Sequence, residues 1–194
     1  MSALLPPHVI GLDLSMTSSG VCTISLDYMT EATKIVTRAI KSQPAPVAER
    51  TPNTRARRLG DIVRSIRTDI VRVLPEIAVV ESPVPNRKMK SAMLLERGAV
   101  YWMTLDVLDA MGVEIIEVAP RERALYATGD GAADKVSVAA SMVAEHDMQF
   151  ETDDECDAFV LAMIGARLLG KPLDRETPER VKITANLAGK RGRS

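Results

Sequence analysis

The sequence predicts an α/β fold, a mixed five-stranded sheet flanked by helices. Two observations predict it. Three β-rich segments follow one another between His8 and Ile40 with no helical pattern among them, and from about Asn53 onward helical and strand patterns alternate. A meander feeding into β–α alternation gives a sheet with antiparallel and parallel pairs and helices on its faces. A plain dinucleotide-binding domain would alternate from its first strand, and this chain does not.

Each element has its own reason. His8-Val-Ile-Gly-Leu-Asp-Leu14 is an apolar run of strand length, and Gly20-Val-Cys-Thr-Ile-Ser-Leu26 is a second. Ser15 to Ser19 between them is short and polar, which makes the pair a hairpin. Thr33 to Ile40 alternates and is β-branched, a third strand. Lys41 to Pro52 holds three prolines and reads as a loop. A helix follows from an Asn53-Thr54 cap and stops before Pro75, with Leu59, Ile62, Val63, Ile66 and Ile70 at helical spacing on one side. Ile77-Ala-Val-Val-Glu81 is a short apolar strand ended by an acid. Pro83 and Pro85 open a loop that Asn86 to Lys90 makes basic. Ser91 to Met111 carries a long helical pattern stopped by Gly112, and Val113 to Val118 is a fifth strand. Pro120 suits the start of a short helix. Gly129-Asp-Gly131 turns into a helix from about Ala133 to Glu145, and a last long helix runs from about Asp153 to Leu169. Beyond Gly170 periodicity is weak. Residues 1–170 therefore read as one domain and 171–194 as a basic C-terminal extension, partly disordered.

A chain of 194 residues, 46% of them hydrophobic, has the length of one domain and can bury a sizeable core. No apolar run approaches the ~20 residues of a membrane span, and the N-terminus lacks the basic-then-apolar layout of a signal peptide. Cys22 and Cys156 are too few for a disulfide framework and suit a reducing cytoplasm. Two histidines and two cysteines argue against structural zinc or haem. A net charge of −1 excludes a uniformly basic nucleic-acid binder, but the charges are segregated. Residues 50–72 carry seven arginines against two aspartates, residues 145–157 carry seven carboxylates with no Lys or Arg, and the stretch from Gly170 is basic again. The arginine run is either a solvated helix face or a phosphate-binding one, and charge alone leaves both open.

The acids carry the chemistry. Asp13 sits inside an apolar strand, where a carboxylate is costly to bury unless paired, protonated or metal-bound. Glu81 ends another such strand. In open α/β sheets ligands collect outside the carboxyl ends of the strands, where both acids fall. Asp154 and Asp157 are three apart at the start of an apolar helix and share a face. Ala158, Leu161, Ala162 and Gly165 give that helix a small-residue side able to approach the sheet closely. Carboxylates from three elements would converge, and they repel unless a divalent cation neutralises them; an oxygen-only set favours Mg²⁺ or Mn²⁺. The alternatives are that Asp154 is a helix-start charge favoured by the dipole and that Glu81 pairs with a neighbouring arginine. His146 reads as a surface residue and Cys156 as packing. There is no P-loop, no G-x-S-x-G elbow and no H-E-x-x-H.

These residues resemble the RuvC-type Holliday-junction resolvases of the RNase H-like nuclease superfamily. Val9-Ile-Gly-Leu-Asp13 with the following Ser-Met-Thr-Ser-Ser-Gly20 looks like the family's first strand, catalytic Asp and next opening glycine. Ala78-Val-Val-Glu81 looks like the strand ending in its catalytic Glu. Leu95-Glu-Arg-Gly-Ala99 resembles the helix after it, Ala127-Thr-Gly-Asp-Gly-Ala-Ala-Asp-Lys135 the glycine turn leading to a lysine, and Asp154-Glu-Cys-Asp-Ala158 the D-x-x-D-A helix. Each motif is weak alone; five in order over most of residues 8–170 are specific.

The resemblance implies an RNase H-like fold and a metal-dependent endonuclease that nicks branched DNA. Asp13, Glu81, Asp154 and Asp157 would bind two Mg²⁺ ions, with Mn²⁺ able to substitute, and Lys135 would contact phosphate or the transition state; its alternative is a solvated lysine in a first helical turn. Arg55, Arg57, Arg58, Arg87, Lys88 and Lys90 would hold the DNA backbone. A four-way junction is two-fold symmetric, so a homodimer is expected, with Met93, Tyr101 and Trp102 either on its surface or in the core. Val84 stands where the family often has a stacking aromatic, which points to cutting of forks and flaps as well as four-way junctions. With the short chain it looks more like a phage-borne branch, acting in the cytoplasm of a bacterial cell or phage-infected host. The rivals are an RNase H-like enzyme for other nucleic acids and a non-catalytic binding module of the same fold. The ATP-binding branch of the superfamily needs a second domain, for which this length leaves no room.

Overall fold

A computed structural model describes residues 8–26, 33–84 and 91–191. The strands are β1 (His8–Asp13), β2 (Ser18–Leu26), β3 (Thr33–Lys41), β4 (Ile77–Glu81) and β5 (Glu114–Val118). The helices are α1 (Pro52–Val73), α2 (Ser91–Ala110), α3 (Pro120–Thr128), α4 (Lys135–His146), α5 (Asp153–Leu168) and α6 (Pro178–Ala188). One sheet has the order β3-β2-β1-β4-β5. The meander is antiparallel, whereas β1–β4 and β4–β5 are parallel, so the sheet is mixed as expected.

The pleat sorts the sheet into two cores. Ile10, Leu12, Val21, Ala78 and Val80 face the helix pair α1–α2 and pack with Ile62, Val63, Ile66 and Ile70, the apolar stripe legible in the sequence. Val9, Cys22, Ile77, Val79, Ile116 and Val118 face the opposite way, onto α5 and its neighbours. Because the side-chain period is two, Asp13 and Glu81 belong to this second face. Both cysteines are buried and unpaired, Cys156 as packing in the second core.

Helix α5 lies unusually close to β1 and β2, for a reason visible in two glycines. A Cβ on Gly11 would fall 2.2 Å from the Ala158 carbonyl oxygen, and one on Gly20 would fall 1.8 Å from that of Asp154. Gly165 makes room in turn for Val9 and Val79. Of the side expected from Ala158, Leu161, Ala162 and Gly165, Ala158 and Ala162 meet glycines on the sheet, whereas Gly165 receives the branched side chains of Val9 and Val79.

Several expectations are corrected. The N-cap of α1 is Thr51, not Asn53-Thr54: its side chain accepts from the Thr54 amide, and the Thr54 hydroxyl oxygen accepts in turn from the Thr51 amide. His146 is half-buried and packs edge-on against the Phe159 ring. Residues 171–191 do not hang free. The buried Arg180 of α6 donates to both Glu145 oxygens at 2.7 Å and through Nε to the Tyr126 carbonyl, while Ile183 and Leu187 join the second core. This fork holds the Glu145 carboxyl down to about 2. Arg191 then pairs with Glu114. The weak apolar period arises because a buried ion pair does part of the work of α6. Among the described residues no helix is long and apolar enough to cross a membrane.

The contact at Gly20 is testable. Gly20→Ala places a methyl group against the Asp154 carbonyl and pushes the start of α5 off the sheet. Overpacking of this kind costs about 1–3 kcal/mol, to be read in urea denaturation. A variant as stable as the parent would show that α5 tolerates a wider spacing.

Candidate active site

Strand register delivers the first two acids. The β1–β4 pairing matches Leu12 with Val80, so Asp13 and Glu81 are the next residues of two adjacent parallel strands, on one face. Across the hairpin Asp13 pairs with Gly20, the glycine that admits the first turn of α5. Thr152 caps α5 by accepting from the Glu155 amide, and the acids of the first turn suit the positive end of the helix dipole. Asp154 and Asp157 share the face turned toward β1. Asp153, one residue earlier, is exposed.

Two cations stand among these acids. Arg123 of α3 is buried and donates Nε to Glu81 Oε2 and one terminal nitrogen to Asp157 Oδ1. Lys135, the first residue of α4, sits 3.6 Å from both Asp154 Oδ1 and Asp157 Oδ2. The helix it opens is capped by Asp134 accepting from the Ser137 amide.

The charges register one another. Burial, then repulsion by Glu81, Asp157 and Asp154, raises the Asp13 carboxyl to about 7 against the opposing pull of Arg123. Burial raises Asp157 to about 6, with Arg123 and Lys135 restraining the rise. Partial burial of Lys135 works against its charge, but Asp157, Asp154 and Asp13 outweigh it and its pKa is raised. Among the described residues no three His, Cys, Asp or Glu side chains stand together in a metal-holding arrangement. Arg123 stands between two of the acids, bonded to Glu81 and to Asp157. The donor chemistry nevertheless fits a hard divalent cation: carboxylate oxygens only, in mutual repulsion, around a buried Asp13.

The fold has known counterparts. A Thermus thermophilus RuvC structure aligns with a TM-score of 0.64 at 20% identity, covering 84% of this chain and 97% of that one. This is the RuvC fold. The T. thermophilus RuvC bound to a Holliday junction substrate aligns at 0.63 and 19%, covering 80% and 90%. The yeast mitochondrial Holliday junction resolvase aligns at 0.56 and 13%, covering 98% and 84%. In sequence, RuvC of Chlorobaculum parvum, a crossover junction endodeoxyribonuclease, is 33% identical over 85 residues. That stretch spans 44% of each chain, so less than half of the RuvC relative is matched. No protein-family model matches the chain.

On this RuvC-like framework the structure gathers five of the residues singled out by sequence: Asp13, Glu81, Asp154, Asp157 and Lys135. The alternative reading of Glu81, a pairing with an arginine, also describes its contact. The basic candidates scatter. Arg55 pairs with Glu96 of α2. Arg57 is exposed. Arg58 donates to the Met16 and Ser42 carbonyls and to Ser42 Oγ, strapping the turn after Asp13 to α1. Arg55, Arg58, Arg50 and Arg97 line a cleft of about 670 Å³ that Ser15, Met16 and Thr17 complete. Arg87, Lys88 and Lys90 lie outside the described residues.

Arg123 is the residue that sequence reasoning missed. It stands one turn into a helix that opens at the carboxyl end of β5, next to the end of β4. A cation in that position faces the acids, but only if β5 is known to lie beside β4.

A carboxyl whose pKa is higher folded than unfolded binds its proton more tightly in the folded state, so it stabilises at low pH. For Asp13 that contribution is complete below the ordinary value of 3.8 and is lost as pH rises through about 7. In metal-free buffer the unfolding midpoint at about pH 5 therefore exceeds that at about pH 8, and Asp13→Asn, uncharged throughout, flattens the difference. An identical pH profile for parent and variant would show that Asp13 ionises freely.

Proposed function

We propose that the chain is a metal-dependent endonuclease that nicks branched DNA and resolves four-way Holliday junctions. The observation that carries this reading is the position of Asp13 and Glu81 at the ends of adjacent parallel strands, with Asp154 and Asp157 brought over them by α5, on the fold of RuvC. The Chlorobaculum relative is a crossover junction endodeoxyribonuclease, which supports the substrate class.

Asp13, Glu81, Asp154 and Asp157 would hold Mg²⁺, with Mn²⁺ substituting, as a pair of ions. What such ions supply when bound is polarisation of a phosphate oxygen and a more acidic water. The chain's own contribution is to hold the acids in register on rigid elements and to offer Lys135, half exposed, to an incoming phosphate. Arg55 and Arg57, with Arg87, Lys88 and Lys90, are the candidate backbone contacts; Arg58 acts through the turn it straps.

A homodimer suits a two-fold substrate. Helix α2 leaves Met93, Leu94, Leu95, Trp102 and Met103 exposed, whereas Tyr101 is buried and donates its hydroxyl to Glu117. The exposure of Met93 and Trp102 supports that side of α2 as the proposed dimer surface, and the burial of Tyr101 removes it from the candidates. Val84, exposed and apolar, has no π-face for a branch-point base, so forks and flaps belong with four-way junctions in the substrate range. The buried thiols accord with a cytoplasmic setting.

One observation favours a second reading. Arg123 and Lys135 already neutralise part of the acidic centre, as they would in a module that binds nucleic acid without cutting it. Cleavage of four-way junction, fork, flap, RNA–DNA hybrid and linear duplex in Mg²⁺ or EDTA separates the two. The nuclease reading expects Mg²⁺-dependent nicks in the branched DNAs and at least about a hundredfold loss in Asp13→Asn, Glu81→Gln and Asp157→Asn, since each removes charge from a preorganised centre. Binding of junction DNA by these variants is retained, because carboxylates repel phosphate. Near-normal turnover in any variant removes that residue from the site, and no cleavage of any substrate returns the chain to a binding role.

Backbone contacts release counterions, so affinity falls steeply with salt. Arg57→Ala, which disturbs no strap, makes the slope of log affinity against log salt shallower by about 0.9 for each phosphate that Arg57 neutralises. An unchanged slope would place the DNA on another face.

A further inference from the structure

The acidic centre contains a group that the nuclease reading does not use. Arg123 is as buried as Asp13 and bonds carboxylates on two different elements, Glu81 on β4 and Asp157 on α5. A guanidinium stays charged at every accessible pH, so its charge leaves the site only if the side chain moves. The oxygens it occupies, Glu81 Oε2 and Asp157 Oδ1, belong to the same hard-donor set that suits a divalent cation. We propose that Arg123 is the resident counter-cation of this centre, holding Glu81 and Asp157 until a divalent metal ion displaces it. The inference rests on the reading of these acids as metal ligands.

The surroundings decide how the displacement happens. Arg123 belongs to α3, whose backbone is held three residues on by Arg180 Nε donating to the Tyr126 carbonyl. Helix α3 itself is anchored, and the exchange is a swing of one long side chain. Lys135, half exposed and at 3.6 Å from its acids, is a looser neighbour that has room to turn outward. An ordinary scaffold ion pair predicts the opposite behaviour. If Arg123 merely positioned Glu81 and Asp157, its removal would scatter the donors and weaken metal binding. If it competes, its removal strengthens binding and leaves the metal-free acids in repulsion. DNA has a place in the same exchange, because a backbone phosphate offers the released guanidinium a new anion. Metal and DNA then favour each other's binding, and the coupling is reciprocal.

The test is calorimetric titration of Mn²⁺ into the full chain without DNA, comparing the parent with Arg123→Gln, Arg123→Lys and Asp13→Asn. Arg123→Gln should bind at least about tenfold more tightly, because one positive charge has left the acids, and should unfold at a lower temperature in EDTA. Arg123→Lys retains the charge and should stay within about threefold of the parent. A folded Arg123→Gln with parental or weaker affinity overturns the inference. Should Arg123→Gln fail to fold in EDTA, recovery of its circular dichroism on adding Mn²⁺ supports competition and no recovery overturns it. Asp13→Asn separates the two layers. If it abolishes Mn²⁺ binding while parent and Arg123→Gln bind alike, only the role of Arg123 falls. If no protein binds Mn²⁺, or Asp13→Asn changes nothing, the metal-ligand reading falls with it.

Discussion

Carboxylates that are gathered and desolvated together repel one another, and the fold around the carboxyl ends of β1 and β4 is built against that repulsion. Bringing Asp157 over Asp13 requires α5 to approach the sheet more closely than side chains normally permit, hence Gly11 and Gly20 where a Cβ would strike helix backbone. The approach excludes water, which is why Asp13 is pushed to about 7 and Asp157 to about 6. Arg123 and Lys135 supply the opposing charge from helices on the same face. Sheet register, helix spacing and cation placement thus answer one electrostatic demand.

The last helix serves the same site at one remove. Arg180 is among the largest fully buried side chains, and it ties α6 to Glu145 of α4 and to the backbone of α3. Arg167 of α5 reaches the Tyr126 hydroxyl at 3.2 Å and the Asp174 carbonyl at 3.0 Å. The three helices that carry Arg123, Lys135 and Asp157 are therefore cross-linked behind the acids by buried charges. An ion pair so placed contributes little net stability compared with apolar packing, yet removing one partner leaves an uncompensated charge. Its value here is fixed position.

Much of this was legible in the sequence because local pattern and tertiary role coincide. The stripe Ile62, Val63, Ile66 and Ile70 is apolar, helical and buried. The meander, the parallel strands and the acids at their ends follow from period and polarity alone. Where pattern and role part, the reading failed. Helix α6 buries only Ile183 and Leu187 beside Arg180, too sparse a stripe to stand out in a basic tail. Asp69 of α1 is buried against Arg38 of β3, a pairing between distant segments that no window of sequence contains. Arg58 looked like its neighbours in the arginine run but spends its donors on carbonyls. Arg123 depends on which strand lies beside which, a fact of topology.

The parallel pairing of β1 with β4 also sets when the acids meet. The β1–β2–β3 meander joins neighbours in the chain, so its contacts close short loops. Matching Leu12 with Val80 waits until two strands and the long helix α1 have been accommodated between them. Contacts across such separations carry the larger closure entropy and form late. A chain emerging from synthesis can complete its hairpin with Asp13 alone at the tip, far from Glu81 and with Asp157 not yet made. The nascent protein thus carries no assembled acidic centre until α5, which follows the last strand in the chain, packs on the finished sheet.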